Sequence, residues 1–98
     1  MIQYNISIFV ENKIEDQAIK ALTKHIVPEL NAWDFIEQAQ VFEISSHQEP
    51  DSKGFSVQCL IPQSEERRKE AIENLISNFF LAEFPNQFVY FPSQLKKC

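Results

Sequence analysis

The first ten residues alternate strictly between two environments. Ile2, Tyr4, Ile6, Ile8 and Val10 fall on one side of an extended chain, and Gln3, Asn5, Ser7 and Phe9 on the other. A period of two over this length predicts a half-buried strand, apolar toward a helical layer and polar on its second face. Helical spacing follows in Ile14, Ala18, Ala21, Leu22, His25 and Ile26. Asn12 and Glu15 stand at capping-box positions for that helix. Pro28 predicts an end or a kink at Val27, because the residue before proline avoids helical geometry.

A second strand is expected within residues 35–45, where the alternation is imperfect. Val41 and Ala39 oppose Phe42 and Ile44, so the buried face is ambiguous and a bulge would reconcile the two halves. Residues 46–54 are polar, with Pro50-Asp51 and Gly54 as turn signals. Phe55, Val57, Cys59 and Ile61 then point inward, and Ser56 and Gln58 outward. Ser64 is the expected cap of a second helix. Ile72, Leu75, Ile76 and Phe79 form its apolar stripe, with Phe80 off it. Phe88 to Phe91 read as a last strand.

The order β-α-β-β-α-β predicts a ferredoxin-like α+β fold across residues 1–98 as a single domain. Its four-stranded antiparallel sheet has both helices on one face, with the first and third strands central. Two helices cover only one sheet face. The other carries Asn5, Ser7, Ser56 and Gln58, neutral hydrogen-bonding groups where a solvated sheet usually carries charge. That pattern predicts a covering partner: a homodimer closing over the face, with a small ligand or protein partner taken there.

Composition narrows the function. The net charge of −5 argues against nucleic acid, which calls for a basic stripe. No apolar run is long enough to cross a bilayer, and the early first strand leaves no room for a signal peptide, so a cytoplasmic location is expected. One glycine excludes a phosphate-binding loop or dinucleotide fingerprint. Two cysteines, Cys59 and Cys98, read as free thiols. No cofactor or metal is expected: His47-x-Glu49-x-Asp51 is more simply a polar loop. His25, with Glu29 one turn on, is the candidate acid or base, set against a histidine at the core edge. Trp33 closes the core or joins an interface, and the charged run of residues 65–70 is a solvated helix face.

The opening Met1 to Ile6, the segment His25-Ile26-Val27-Pro28-Glu29 and the late Phe88-Val89-Tyr90-Phe91 resemble a family of short bacterial proteins of unknown function. That family is in turn similar to the dimeric α+β barrel proteins, among them antibiotic-biosynthesis and haem-degrading monooxygenases and small isomerases. The resemblance implies paired open sheet faces and an asparagine on the first strand, which Asn5 supplies. The monooxygenases' strand tryptophan and late-helix histidine have no counterpart here. No catalytic residue carries over. A cofactor-free enzyme acting in an intersubunit cavity is the alternative to a binding module, and a titratable group inside that cavity would separate the two.

Overall fold

A computed structural model describes residues 1–98. Strand β1 spans Ile2–Glu11. A helical run follows as α1 (Glu15–Ala21), a π-helical segment (Leu22–Ile26) and α2 (Val27–Ala32). Strands β2 (Gln38–Glu43) and β3 (Ser52–Ile61) precede a 3-10 turn (Gln63–Arg68), helix α3 (Lys69–Glu83) and strand β4 (Phe88–Lys96). The sheet order is β2-β3-β1-β4, with every pair antiparallel. This is the ferredoxin-like arrangement, with β1 and β3 central.

The core lies between the sheet and the helices. Ile2, Ile6, Ile8 and Val10 meet Leu22, Ile26, Ile72, Ile76 and Phe80 there, all essentially without solvent contact. On α3 the buried line is Ile72, Ile76 and Phe80, while Leu75 and Phe79 pack beside the core partly exposed. The expected stripe is thus turned by one position. Phe80 fills the gap between Phe84 and Phe88 (ring centroids 5.4 Å to each).

The expected caps serve other purposes. Asn12 donates from Nδ2 to the carbonyl of Pro50 (2.6 Å), and its N–H donates to the carbonyl of Asp51 (3.2 Å). It therefore ties β1's end to the hairpin loop, and no side chain caps either helix start. Ser64 sits inside the 3-10 turn, whose flanking residue is Pro62. Pro28 does not end the first helix. Its ring would crowd the carbonyl four residues back and it brings no N–H, and the widened π segment just upstream absorbs the mismatch.

Strand β2 starts at Gln38 rather than residue 35 and pairs with β3 without a bulge. Ala39 and Val41 face the helices, and Phe42 faces out. Ala39's backbone points away from β3 and is met by Asn31 at the end of α2. Asn31 Nδ2 donates to the Ala39 carbonyl (3.0 Å) and the Ala39 N–H donates to Asn31 Oδ1 (2.9 Å). One amide thus stands in for a neighbouring strand at Ala39 and interrupts that edge. Asn31→Ala is expected to cost about 1–2 kcal/mol in a denaturant titration, the worth of two part-exposed hydrogen bonds.

The opposite edge is interrupted differently. The Glu11 N–H donates to the Gln87 carbonyl (3.0 Å). With the register Phe9↔Val89 and Ser7↔Phe91, that parity turns the backbone of odd β4 residues toward β1. The backbone of Phe88, Tyr90 and Pro92 faces outward. Pro92 leaves the outer rank without a donor at its centre.

Candidate functional site

The pairing registers fix the side-chain rows of the open sheet face. From β2 to β4 they read Gln38–Leu60–Gln3–Leu95, then Gln40–Gln58–Asn5–Ser93, then Phe42–Ser56–Ser7–Phe91. A shorter fourth row holds Gly54–Phe9–Val89. No position in these rows carries a charge, in a chain that is 23% charged, and the first charge on this side of β1 comes at its end, at Glu11 opposite Ser52. Asn5, Ser7, Ser56 and Gln58 lie together at the centre, as the alternation of β1 and β3 predicts.

A hydrogen-bond chain crosses that centre. Gln3 Nε2 donates to Gln58 Oε1 (3.0 Å), and Gln58 Nε2 donates to Ser56 Oγ (3.3 Å). Asn5 is 8% exposed, and its Oδ1 is buried with no donor. Such an orphan acceptor costs about 1–3 kcal/mol. Around the amides stand Phe42, Val89, Phe91 and Leu95, which are 49%, 55%, 59% and 52% exposed. The face is an apolar rim around a neutral polar centre. The rim was only partly legible, because Phe42 lies on an edge strand of irregular pattern and β4 extends well beyond Phe91.

Gly54 and Phe9 shape one corner. A Cβ at Gly54 would come within 2.8 Å of the Phe9 ring, so only glycine lets that ring lie flat across β3. Phe9 also contacts the His47 ring (centroids 4.8 Å) and the edge of Phe91 (6.0 Å). His47 Nε2 and Ser52 Oγ are 2.8 Å apart and hold the hairpin loop over this corner. No group of three or more His, Cys, Asp or Glu side chains is placed to hold a metal ion.

His25 sits elsewhere. It lies in the π segment of the helical layer, exposed, with its ring stacked on Phe79 (6.0 Å, 26° between planes). It is an exposed residue rather than part of the apolar stripe, and the sheet separates it from Asn5. Trp33 follows α2 and stacks on Phe35 (5.8 Å), also in the helical layer.

The alternation concealed a second polar cluster, between the sheet and α3. Tyr4 Oη donates to Glu73 Oε1 (3.2 Å) and Tyr90 Oη donates to Oε2 (3.0 Å). Burial, reinforced by the Glu73 carboxylate, pushes the Tyr4 phenol up to about 12. The hydrogen bond to Glu73 raises Tyr90 as well. Both phenols remain protonated donors, and the shared carboxylate anchors α3 to β1 and β4. Tyr4 reads in sequence as one more core residue, and nothing local marks Glu73 as its partner.

No helix is long and apolar enough to cross a membrane. No curated protein matches the sequence. Among solved structures the chain is similar to Rv0793 of Mycobacterium tuberculosis (TM-score 0.60, 12% identity, covering 100% of this chain and 96% of that one). It is also similar to a putative antibiotic biosynthesis monooxygenase of Bacillus cereus (TM-score 0.51, 11% identity, 99% and 94% covered). A third likeness is to CPII, a nitrogen regulatory PII-like protein of Thiomonas intermedia K12 (TM-score 0.50, 10% identity, 100% and 97% covered). At these identities the likenesses show the α+β fold and nothing finer. The family model that matches spans residues 1–98, and the chain belongs to DUF4286, a domain of unknown function.

Proposed function

We propose that the protein is a homodimeric cytoplasmic module whose open sheet face takes a second copy at its apolar rim and a small ligand at its amide centre. The observation that carries this reading is the uncharged centre of the face, with four half-exposed apolar residues around the orphan Oδ1 of Asn5. Across a two-fold axis residue i of one face meets residue j of the other, and a face with no charge in its central rows lets two copies of a chain of net charge −5 meet without local repulsion. Amides and hydroxyls are both donors and acceptors, so a face built of them complements itself. Asn31 and Pro92 each interrupt one sheet edge, which disfavours association by strand addition and supports the face as the contact. The free thiols of Cys59 and Cys98 suit a reducing compartment.

Gln58→Lys tests the reading. A lysine there would be desolvated without a partner at a cost of several kcal/mol, so the variant is expected to run as a folded monomer. Gln63→Lys, on the exposed 3-10 turn, is expected to leave the dimer intact. Light scattering after size exclusion at tens of micromolar, with reductant present, reads both. A monomeric wild type, or a dimeric Gln58→Lys protein, rejects it.

A further inference from the structure

A separate groove of about 510 Å³ opens on the helical layer, between the loop after α2 and the start of α3. Its floor is the ring of Phe35, with the Arg68 guanidinium 4.2 Å from the ring centroid. Arg68 is fixed there by Asp34 (3.2 Å) and Glu65 (3.5 Å). The indole of Trp33 stacks on Phe35 at 5.8 Å and 27° and forms one wall. Arg67, Ala71 and Asn74 complete the lining.

The two arginines of this groove differ in their partners. The Asp34 carboxylate is engaged by Arg68. Arg67 pairs with no carboxylate, and neither the Asn74 amide nor the Trp33 indole N–H finds an acceptor in the chain. Arg67 is thus the one cation of the groove without a carboxylate partner, and it stands beside the partly exposed ring of Trp33. We propose that the groove binds a planar aromatic carboxylate, whose ring lies along Trp33 and whose two oxygens meet the forked donors of Arg67. One unpaired guanidinium matches a single negative charge, and the fork and the carboxylate share a planar bidentate geometry. The indole N–H and the Asn74 amide supply the remaining donors at the rim.

Trp33 is the chain's one tryptophan, so its fluorescence reports this groove alone. The probes are pyridine-3-carboxylate and its neutral isostere pyridine-3-carboxamide, titrated into the full chain. The carboxylate is expected to quench Trp33 saturably, with the carboxamide about tenfold weaker, the worth of one charge-assisted contact. Arg67→Gln, an exposed substitution, is expected to abolish that preference while leaving the melting temperature in place. Lys20→Gln, on α1, is expected to retain it. Absence of saturable quenching by the carboxylate overturns the proposal, as does equal binding of the two probes or a preference that survives Arg67→Gln. None of these readouts depends on oligomeric state, so the groove and the dimer stand or fall separately.

Discussion

Phe80→Ala is expected to remove about 3–5 kcal/mol of stability, a large part of the roughly 5–15 kcal/mol that holds a domain of this size. The ring is 0% exposed and meets Phe79, Phe84 and Phe88 at 6.1, 5.4 and 5.4 Å between centroids. Its removal leaves a void among groups drawn from α3, the turn after it and β4, which cannot all move inward together. Leu75→Ala, on the flank of the same helix, is expected to cost about 1–2 kcal/mol, since less surface returns to water. Leu81→Ala, on the exposed side, should stay within about 0.5 kcal/mol. Guanidinium titrations of the three variants rank them, and a Leu75→Ala loss exceeding that of Phe80→Ala would show that α3 is seated on the other line.

Stability should also fall steadily above pH 9. The Cys59 thiol is buried beneath the helices, and desolvation pushes it from 9.0 up to about 12. Tyr4 moves from 10.0 to about 12, chiefly by burial and then through the Glu73 carboxylate. In the unfolded chain the thiol ionises from about pH 9 and the phenol from about pH 10, while the folded chain keeps both protons until near pH 12. The unfolded state therefore binds fewer protons in that window, and unfolding becomes more favourable as pH rises. Each group contributes about 1.4 kcal/mol per pH unit until its folded form also ionises. Below pH 9 neither group affects stability. Cys59→Val should delay the onset from about pH 9 to about pH 10, read from denaturant midpoints across the range. An unchanged onset would assign the effect to other groups.

The parts of this fold legible in sequence are those where one physical demand acts alone. Strands β1 and β3 are central, each with one face pressed on the core, so every core-facing position from Ile2 to Val10 and from Phe55 to Ile61 is apolar or aromatic, and only Phe9 and Leu60 break the polar run on the other side. Strand β2 obeys two demands at once. Ala39 and Val41 answer to the core, and Phe42 to the open face, so the pattern looks like a slipped register where none exists. Asn12 reads as a helix cap because its residue type suits that role, but the competing acceptor at Pro50 lies 38 residues away along the chain. The π segment before Pro28 and the hold of Asn31 on Ala39 depend on packing between elements, which no local window contains. For the candidate site, the polar centre followed from alternation, whereas its apolar rim needed the register of β4.

The treatment of the two sheet margins sets a limit on how this protein can assemble. A twisted sheet with bare margins can recruit strands indefinitely, and polymers grow by that route. Here the Asn31 amide occupies one margin and Pro92 interrupts the other, so neither offers an unbroken run of backbone groups to an incoming strand. Each interruption removes a backbone partner that a strand laid along that margin would need, so growth by strand addition is disfavoured at both ends of the sheet.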